Sequence, residues 1–163
     1  MQDTLPIHFA PLQGYTEAIY RNAHDAFFGG VDTYYTPFVR LEKGNFRRRD
    51  VRGIEPENNA VAHLIPQLIA SSAEKAEVIL SLFIEKGYQE VDINLGCPFP
   101  LLAKRHNGSG ILPYPEEVKA LLSIVTRYPQ ISFSVKMRLG WEQPDECLAL
   151  APILNDLPLR QIT

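Results

Sequence analysis

Along this chain the apolar positions switch repeatedly between the two-residue period of a strand and the spacing of a helix. "LPIHFA" (5–10) reads as a first strand. From Thr16, Ile19, Ala23, Ala26 and Phe27 recur at helical spacing until Gly29-Gly30, which predicts a first helix. "DTYYTPF" (32–38) and "AHLIPQLIA" (62–70) read as second and third strands, and the charged stretch 39–61 between them shows no period that places a helix. The next unit is clearer. Ser71 and Glu74 have capping-box spacing, Ala76, Ile79, Leu80 and Phe83 form a stripe, and Lys86-Gly87 supplies the stop. "YQEVDIN" (88–94) predicts a fourth strand. Pro115 then suits a first helical position, with Glu116 and Glu117 in the opening turn and Val118, Leu121, Leu122 and Val125 on the buried face. "ISFSVKMR" (131–138) is a fifth strand, a helix is expected from Pro144 to about Asn155, and "LRQIT" begins a sixth strand.

Strand and helix in repeated alternation imply crossover connections and a parallel sheet. An open doubly wound sheet and a closed barrel share that order, and the strand faces help to separate them. Ile131, Phe133, Val135 and Met137 take one face of the fifth strand, and Ser132, Ser134, Lys136 and Arg138 the other. The fourth strand likewise sets Val91 and Ile93 against Asp92 and Asn94. Central strands of an open parallel sheet are apolar on both faces, so a polar face ending in a cation suits a barrel interior better. The expected fold is α/β, a parallel (β/α)8 TIM-type barrel. Such a barrel needs about 250 residues, so the 163 here read as about its first five units, the N-terminal portion of a longer protein.

Composition adds little to this. The chain is 45% hydrophobic and 21% charged, as expected of a globular domain. It has no apolar run long enough to span a membrane, and "MQDTLPIHFAPLQG" lacks the basic and apolar segments of a secretory leader. Two cysteines, Cys97 and Cys147, make no disulfide framework or zinc spacing, and a reducing cytoplasm is the expected setting. Cys147 is read as core. His8, His24 and His63 have no spacing that argues for a metal, and a net charge of −3 gives no global nucleic-acid signature.

The chemistry gathers where a parallel barrel would put it, at the carboxyl ends of the strands. Ala10-Pro11-Leu12, Gln67, Asn94, Cys97, Lys136 and Arg138 all fall there. Each has a plain alternative: Gln67 as an ordinary strand amide, Asn94 as a turn cap, Cys97 as a small buried hydrophobe, Lys136 as a solvated cation. Convergence at several strand ends favours a site.

Five stretches, "APLQGYT" (10–16), "PQLIAS" (66–71), "DINLGCP" (92–98), "GSGIL" (108–112) and "VKMRLGW" (135–141), resemble in order and spacing the motifs of the tRNA-dihydrouridine synthases. The resemblance implies a flavoprotein barrel in which FMN, reduced by NADPH, saturates the 5,6 double bond of uridine in tRNA. It assigns Cys97 as the general acid that protonates C5 after hydride reaches C6, a role open to a thiol still protonated at neutral pH. It places Ala10, Pro11 and Leu12 against the flavin, Leu12 where Met is more frequent. It sets Gln67 at the ring edge and Lys136 beside the ring's N1 and O2, where a cation stabilises the reduced form. Asn94 is assigned to the uracil or flavin, and Arg138 to substrate phosphate or to structure. Phe99-Pro100-Leu101-Leu102 stands where many relatives carry basic residues, and Lys104, Arg105 and His106 arrive later. The family's later strands, with a histidine and phosphate-binding loops for the flavin, and its helical tRNA-binding domain have no counterpart here.

One local feature bears on the substrate. "RLEKGNFRRRDVR" (40–52) holds six Lys and Arg against two acids. It reads either as a solvated loop or as a phosphate-contacting surface that includes Arg47, Arg48 and Arg49. The leading expectation is an FMN-dependent reductase of tRNA uridine. A flavin oxidoreductase of free pyrimidines and a non-catalytic RNA-binding module are the alternatives. An unclosed sheet is further expected to self-associate through its open edge and to hold FMN poorly.

Overall fold

The computed structural model describes residues 5–163; Met1–Thr4, where the segment read for a leader begins, lie outside them. The chain divides into two compact units, Met1–Gln67 and Leu68–Thr163.

The first unit runs β1 (His8–Phe9), α1 (Ala18–Phe27), β2 (Thr33–Tyr35), β3 (Leu41–Glu42), β4 (Asn45–Phe46), α2 (Arg48–Ile54) and β5 (Leu64–Ile65), and β6 (Gln67–Leu68) follows across its boundary. β1, β2 and β5 pair in that order, all parallel, with His8 opposite Thr33 and Tyr34 opposite Leu64. The predicted third strand is split at Pro66, which has no N–H to give a ladder.

Two expectations are corrected in this unit. The stretch 39–61 is ordered: β3 and β4 form an antiparallel hairpin whose two-residue turn, Lys43-Gly44, has positive φ at both positions (51° and 81°). That is the backbone sense that matches strand twist in tight hairpins, carried here by Lys-Gly in place of the usual Asn-Gly. In α1, Ile19 and Phe27 are 83% and 85% exposed, and the helix turns Ala18 and a fully buried Arg21 inward. Arg21 can lie there because its guanidinium donates to the carbonyls of Thr16 (2.6 Å) and Gly53 (2.8 Å) and to Asn59 Oδ1 (2.6 Å).

The second unit contains α3 (Ala73–Glu85), β7 (Glu90–Leu95), α4 (Pro100–Ala103), α5 (Pro115–Arg127), β8 (Ser132–Met137), α6 (Glu146–Asn155) and β9 (Leu159–Ile162). Its sheet has the order β6–β7–β8–β9, and β7–β8 and β8–β9 are parallel, so the expected sixth strand has formed. The fold is therefore α/β with parallel strands. α3 buries Ala76, Ile79, Leu80 and Phe83, and α5 buries Val118, Leu121, Leu122 and Val125, the faces that the sequence predicts. Each large side chain so buried contributes roughly 1.5–3 kcal/mol. The cap of α3 is Ser72, one residue later than predicted, and its hydroxyl accepts the Lys75 N–H at 3.5 Å. A hydrogen bond with Ser72 also holds the Glu74 carboxyl below its usual range. Lys86 and Gly87 end the helix, Gly87 with a φ of 84°.

On β7 and β8, Val91, Ile93, Phe133 and Val135 are buried on one face. The polar face is enclosed too: Asp92 sits opposite Ser134, whose hydroxyl donates to its carboxylate at 2.5 Å. No helix among the described residues is long and apolar enough to cross a membrane.

Candidate active site

β7 lets go of the sheet at Leu95, and the next two residues are held by side chains from three parts of the second unit. Asn94 Oδ1 accepts the backbone N–H groups of Gly96 (3.0 Å) and Cys97 (2.9 Å). The Cys97 carbonyl accepts both the N–H (3.1 Å) and the hydroxyl (3.0 Å) of the wholly buried Ser109. The Gly96 carbonyl accepts Arg138 Nε at 2.9 Å. Gly108, at φ +61°, lies so close that a Cβ there would come within 2.6–2.9 Å of the Cys97 backbone and Cβ. Cys97 is thus half-buried on a peptide fixed on both sides. The turn-capping reading of Asn94 is realised, and it serves the cysteine directly.

Lys136 stands opposite Asn94 in the β7–β8 register, partly buried. Among the described residues its ammonium group has no hydrogen-bond or ion-pair partner. Past Arg138, the Glu146 carboxylate gathers the N–H groups of Trp141 (2.7 Å), Gln143 (2.9 Å) and Glu142 (3.0 Å) at the start of α6. Burial pushes this carboxyl up, but the three donors together outweigh it and hold the group below its usual range. Cys147, read as core, is only half-buried, with its thiol on the Pro144 carbonyl.

In the first unit, Ala10-Pro11-Leu12 follows β1 and leads into a turn at Gln13–Tyr15. Thr16 closes that turn: its hydroxyl accepts the Leu12 N–H (2.8 Å) and donates to the Leu12 carbonyl (3.3 Å). Gln67, almost fully buried, follows β5. Its N–H donates to Thr36 Oγ1 (3.0 Å), and its carbonyl accepts from Val39 (2.8 Å). Both lie at the carboxyl end of this unit's parallel sheet. One residue here escapes sequence reasoning. Gln13 has both amide atoms buried without a partner among the described residues. Its only signal in the sequence is a polar residue inside "APLQGYT".

The three arginines separate by role. Arg47 forms a two-pronged pair with the buried Asp50, Nε–Oδ2 at 2.7 Å and Nη2–Oδ1 at 2.8 Å. Arg48 is exposed, and Arg49 reaches Asp50 only at 3.6 Å from an exposed position. Arg47→Ala is expected to cost about 2 kcal/mol, because it leaves a buried carboxylate short of donors. Arg48→Ala should stay within about 0.5 kcal/mol. Urea denaturation of the two variants checks the contrast, and equal midpoints would contradict it. Among the described residues no group of three His, Cys, Asp or Glu side chains could hold a metal ion.

Parallel strands joined by helices, with polar side chains collected at strand carboxyl ends, define an α/β protein of the kind that carries its chemistry at that edge. The family model described as Dihydrouridine synthase (Dus) matches residues 8–163, and the chain belongs to this family. It is 30% identical over 125 residues to tRNA-dihydrouridine synthase B of Klebsiella pneumoniae, a match covering 75% of this chain and 37% of that protein. It is 27% identical over 161 residues to probable tRNA-dihydrouridine synthase 1 of Synechocystis sp., covering 94% and 43% respectively. The chain spans less than half the length of these relatives.

Proposed function

We propose that the protein containing this chain reduces uridine to 5,6-dihydrouridine in tRNA, with FMN as the bound cofactor, NADPH as reductant and Cys97 as general acid. The observation that carries this reading is the Gly96-Cys97 peptide, held by Asn94, Ser109 and Arg138 so that the thiol projects from a fixed backbone. A group that delivers a proton to one carbon needs such placement. The parallel strands are taken as the opening units of an eight-stranded barrel.

The residues present suit a flavin. Gln13 offers a buried donor and acceptor that nothing among the described residues uses, and Lys136 offers a cation with no partner among them. In the first unit Ala10, Pro11 and Leu12 would lie against the ring, and Gln67 would bond its edge. In the second, Lys136 is assigned as a cation able to stabilise a reduced flavin. When bound and reduced, FMN would supply the hydride for C6 of the uracil. Cys97 gives its proton to C5, its S–H bond breaks, and the thiolate regains a proton from water. Asn94 and Arg138 are assigned to the substrate side, and Arg48 and Arg49 to tRNA phosphates. Arg47, occupied by Asp50, contributes mainly by holding α2 in place.

Incubating the full-length flavoprotein with NADPH and either unmodified tRNA or free uracil, followed by mass spectrometry of the products, tests this. Dihydrouridine should form in the tRNA, with little conversion of the free base. Preferential reduction of uracil would instead favour a free-pyrimidine oxidoreductase.

A further inference from the structure

Four side-chain hydrogen bonds converge on two consecutive residues, and the sequence singles out only some of their donors and acceptors. Asn94 Oδ1 takes both N–H groups of Gly96 and Cys97, Arg138 Nε takes the Gly96 carbonyl, and Ser109 takes the Cys97 carbonyl with its hydroxyl as well as its N–H. Ser109 is 12 residues from Cys97 and Arg138 is 42 from Gly96, so the grip joins three separate stretches of chain. Every backbone polar group of residues 96 and 97 is thereby satisfied, although neither residue lies in a strand or helix. Gly108 closes the remaining side, since a Cβ there would overlap Cys97. These bonds all end on main-chain atoms, so the arrangement fixes the Cys97 Cα–Cβ bond from which the thiol projects.

We propose that Ser109 and Arg138, together with Asn94, are positioning residues that clamp the Gly96-Cys97 peptide and fix the point from which the Cys97 thiol projects. This rests on the general-acid reading of Cys97 for its functional meaning, while the clamp itself is measurable without turnover. Ser109→Ala removes one hydroxyl bond from a buried site and adds no bulk. Arg138 is exposed, so Arg138→Ala removes the Gly96 contact without opening a cavity. A neutral hydrogen bond is worth about 1 kcal/mol, or roughly a fivefold change in a local equilibrium. Asn94→Asp keeps the oxygen that accepts both N–H groups, whereas Asn94→Ala removes it.

The experiment is alkylation by iodoacetamide of the full chain, followed for each cysteine by peptide mass spectrometry at several pH values. Cys147 serves as an internal reference, since it is also half-buried but lies outside the clamp. Thiolates are the reacting species. A change in access therefore multiplies the Cys97 rate at every pH, while a change in ionisation moves the midpoint of the profile. The Cys97 rate relative to Cys147 should rise about fivefold in Ser109→Ala and Arg138→Ala and further in Asn94→Ala. In Asn94→Asp the high-pH plateau should return near the parent value, while the added negative charge moves the midpoint upward. In the full-length flavoprotein, kcat should fall by a similar factor in Ser109→Ala with KM for tRNA unchanged. Unchanged ratios in both Ser109→Ala and Arg138→Ala would overturn the clamp, as would equal acceleration of both cysteines, which reports general loosening. Full turnover by a Cys97 variant would remove the general-acid reading and leave the alkylation result standing on its own.

Discussion

Cys97→Ala in the full-length protein is expected to lower dihydrouridine formation by about 10²–10⁴-fold, the usual contribution of a positioned general acid, while bound flavin stays at its parent level. The two readouts separate because of where the interactions fall. All the bonds that shape this turn go to the backbone of residues 96 and 97, so removing the sulfur leaves each of them in place. The groups assigned to the flavin, Gln67, Lys136 and the Ala10-Pro11-Leu12 segment, are different residues. The reaction would still receive its hydride, and it would stall where C5 needs a proton that only water could then deliver. Flavin absorbance of the purified variant and nucleoside mass spectrometry of its tRNA product give the two numbers. Parent-level product from the alanine variant would take Cys97 out of the mechanism.

A large effect on stability is expected in the Gly-Ser-Gly turn. In Gly110→Ala the new Cβ would overlap the carbonyl oxygen and Cα of Ala103, which are main-chain atoms that cannot swing aside. The 108–111 turn would have to move off α4 and take Ser109 with it, at a cost of about 3–5 kcal/mol, the range of severe overpacking. Gly87→Ala is the matched control. There φ is +84° but nothing lies within 4 Å of the added carbon, so only backbone strain of roughly 1–2 kcal/mol is expected. Urea midpoints of the two variants measure the difference, and a Gly110→Ala protein as stable as Gly87→Ala would show that this contact yields.

What the sequence reveals depends on how local the cause is. α3, β7, α5 and β8 were legible because each is long, periodic and ended by its own residues, such as Gly87 after α3 and Pro115 opening α5. The cap of α3 is ambiguous in the sequence because Ser71 and Ser72 are adjacent and chemically alike. The first unit is harder to read, since its strands are two or three residues long and no alternation can establish itself. Its α1 breaks the apolar rule for a distant reason, as the carbonyl of Gly53 and the amide of Asn59 let Arg21 face inward. The site divides in the same way. Cys97 between Gly96 and Pro98 stands out in the sequence, whereas the hold of Ser109 and Arg138 on it depends on contacts made only once the chain has folded. Gln13 is visible only as an orphaned amide.

A grip on main-chain atoms alone makes position 97 a socket. The fold specifies where a small side chain stands and has no stake in its identity, so the reactive atom can be exchanged without rebuilding its seat. A hydroxyl in place of the thiol would occupy the same point with a much weaker acid. Proton-donating strength could therefore be retuned here by a single substitution, with the architecture around it untouched.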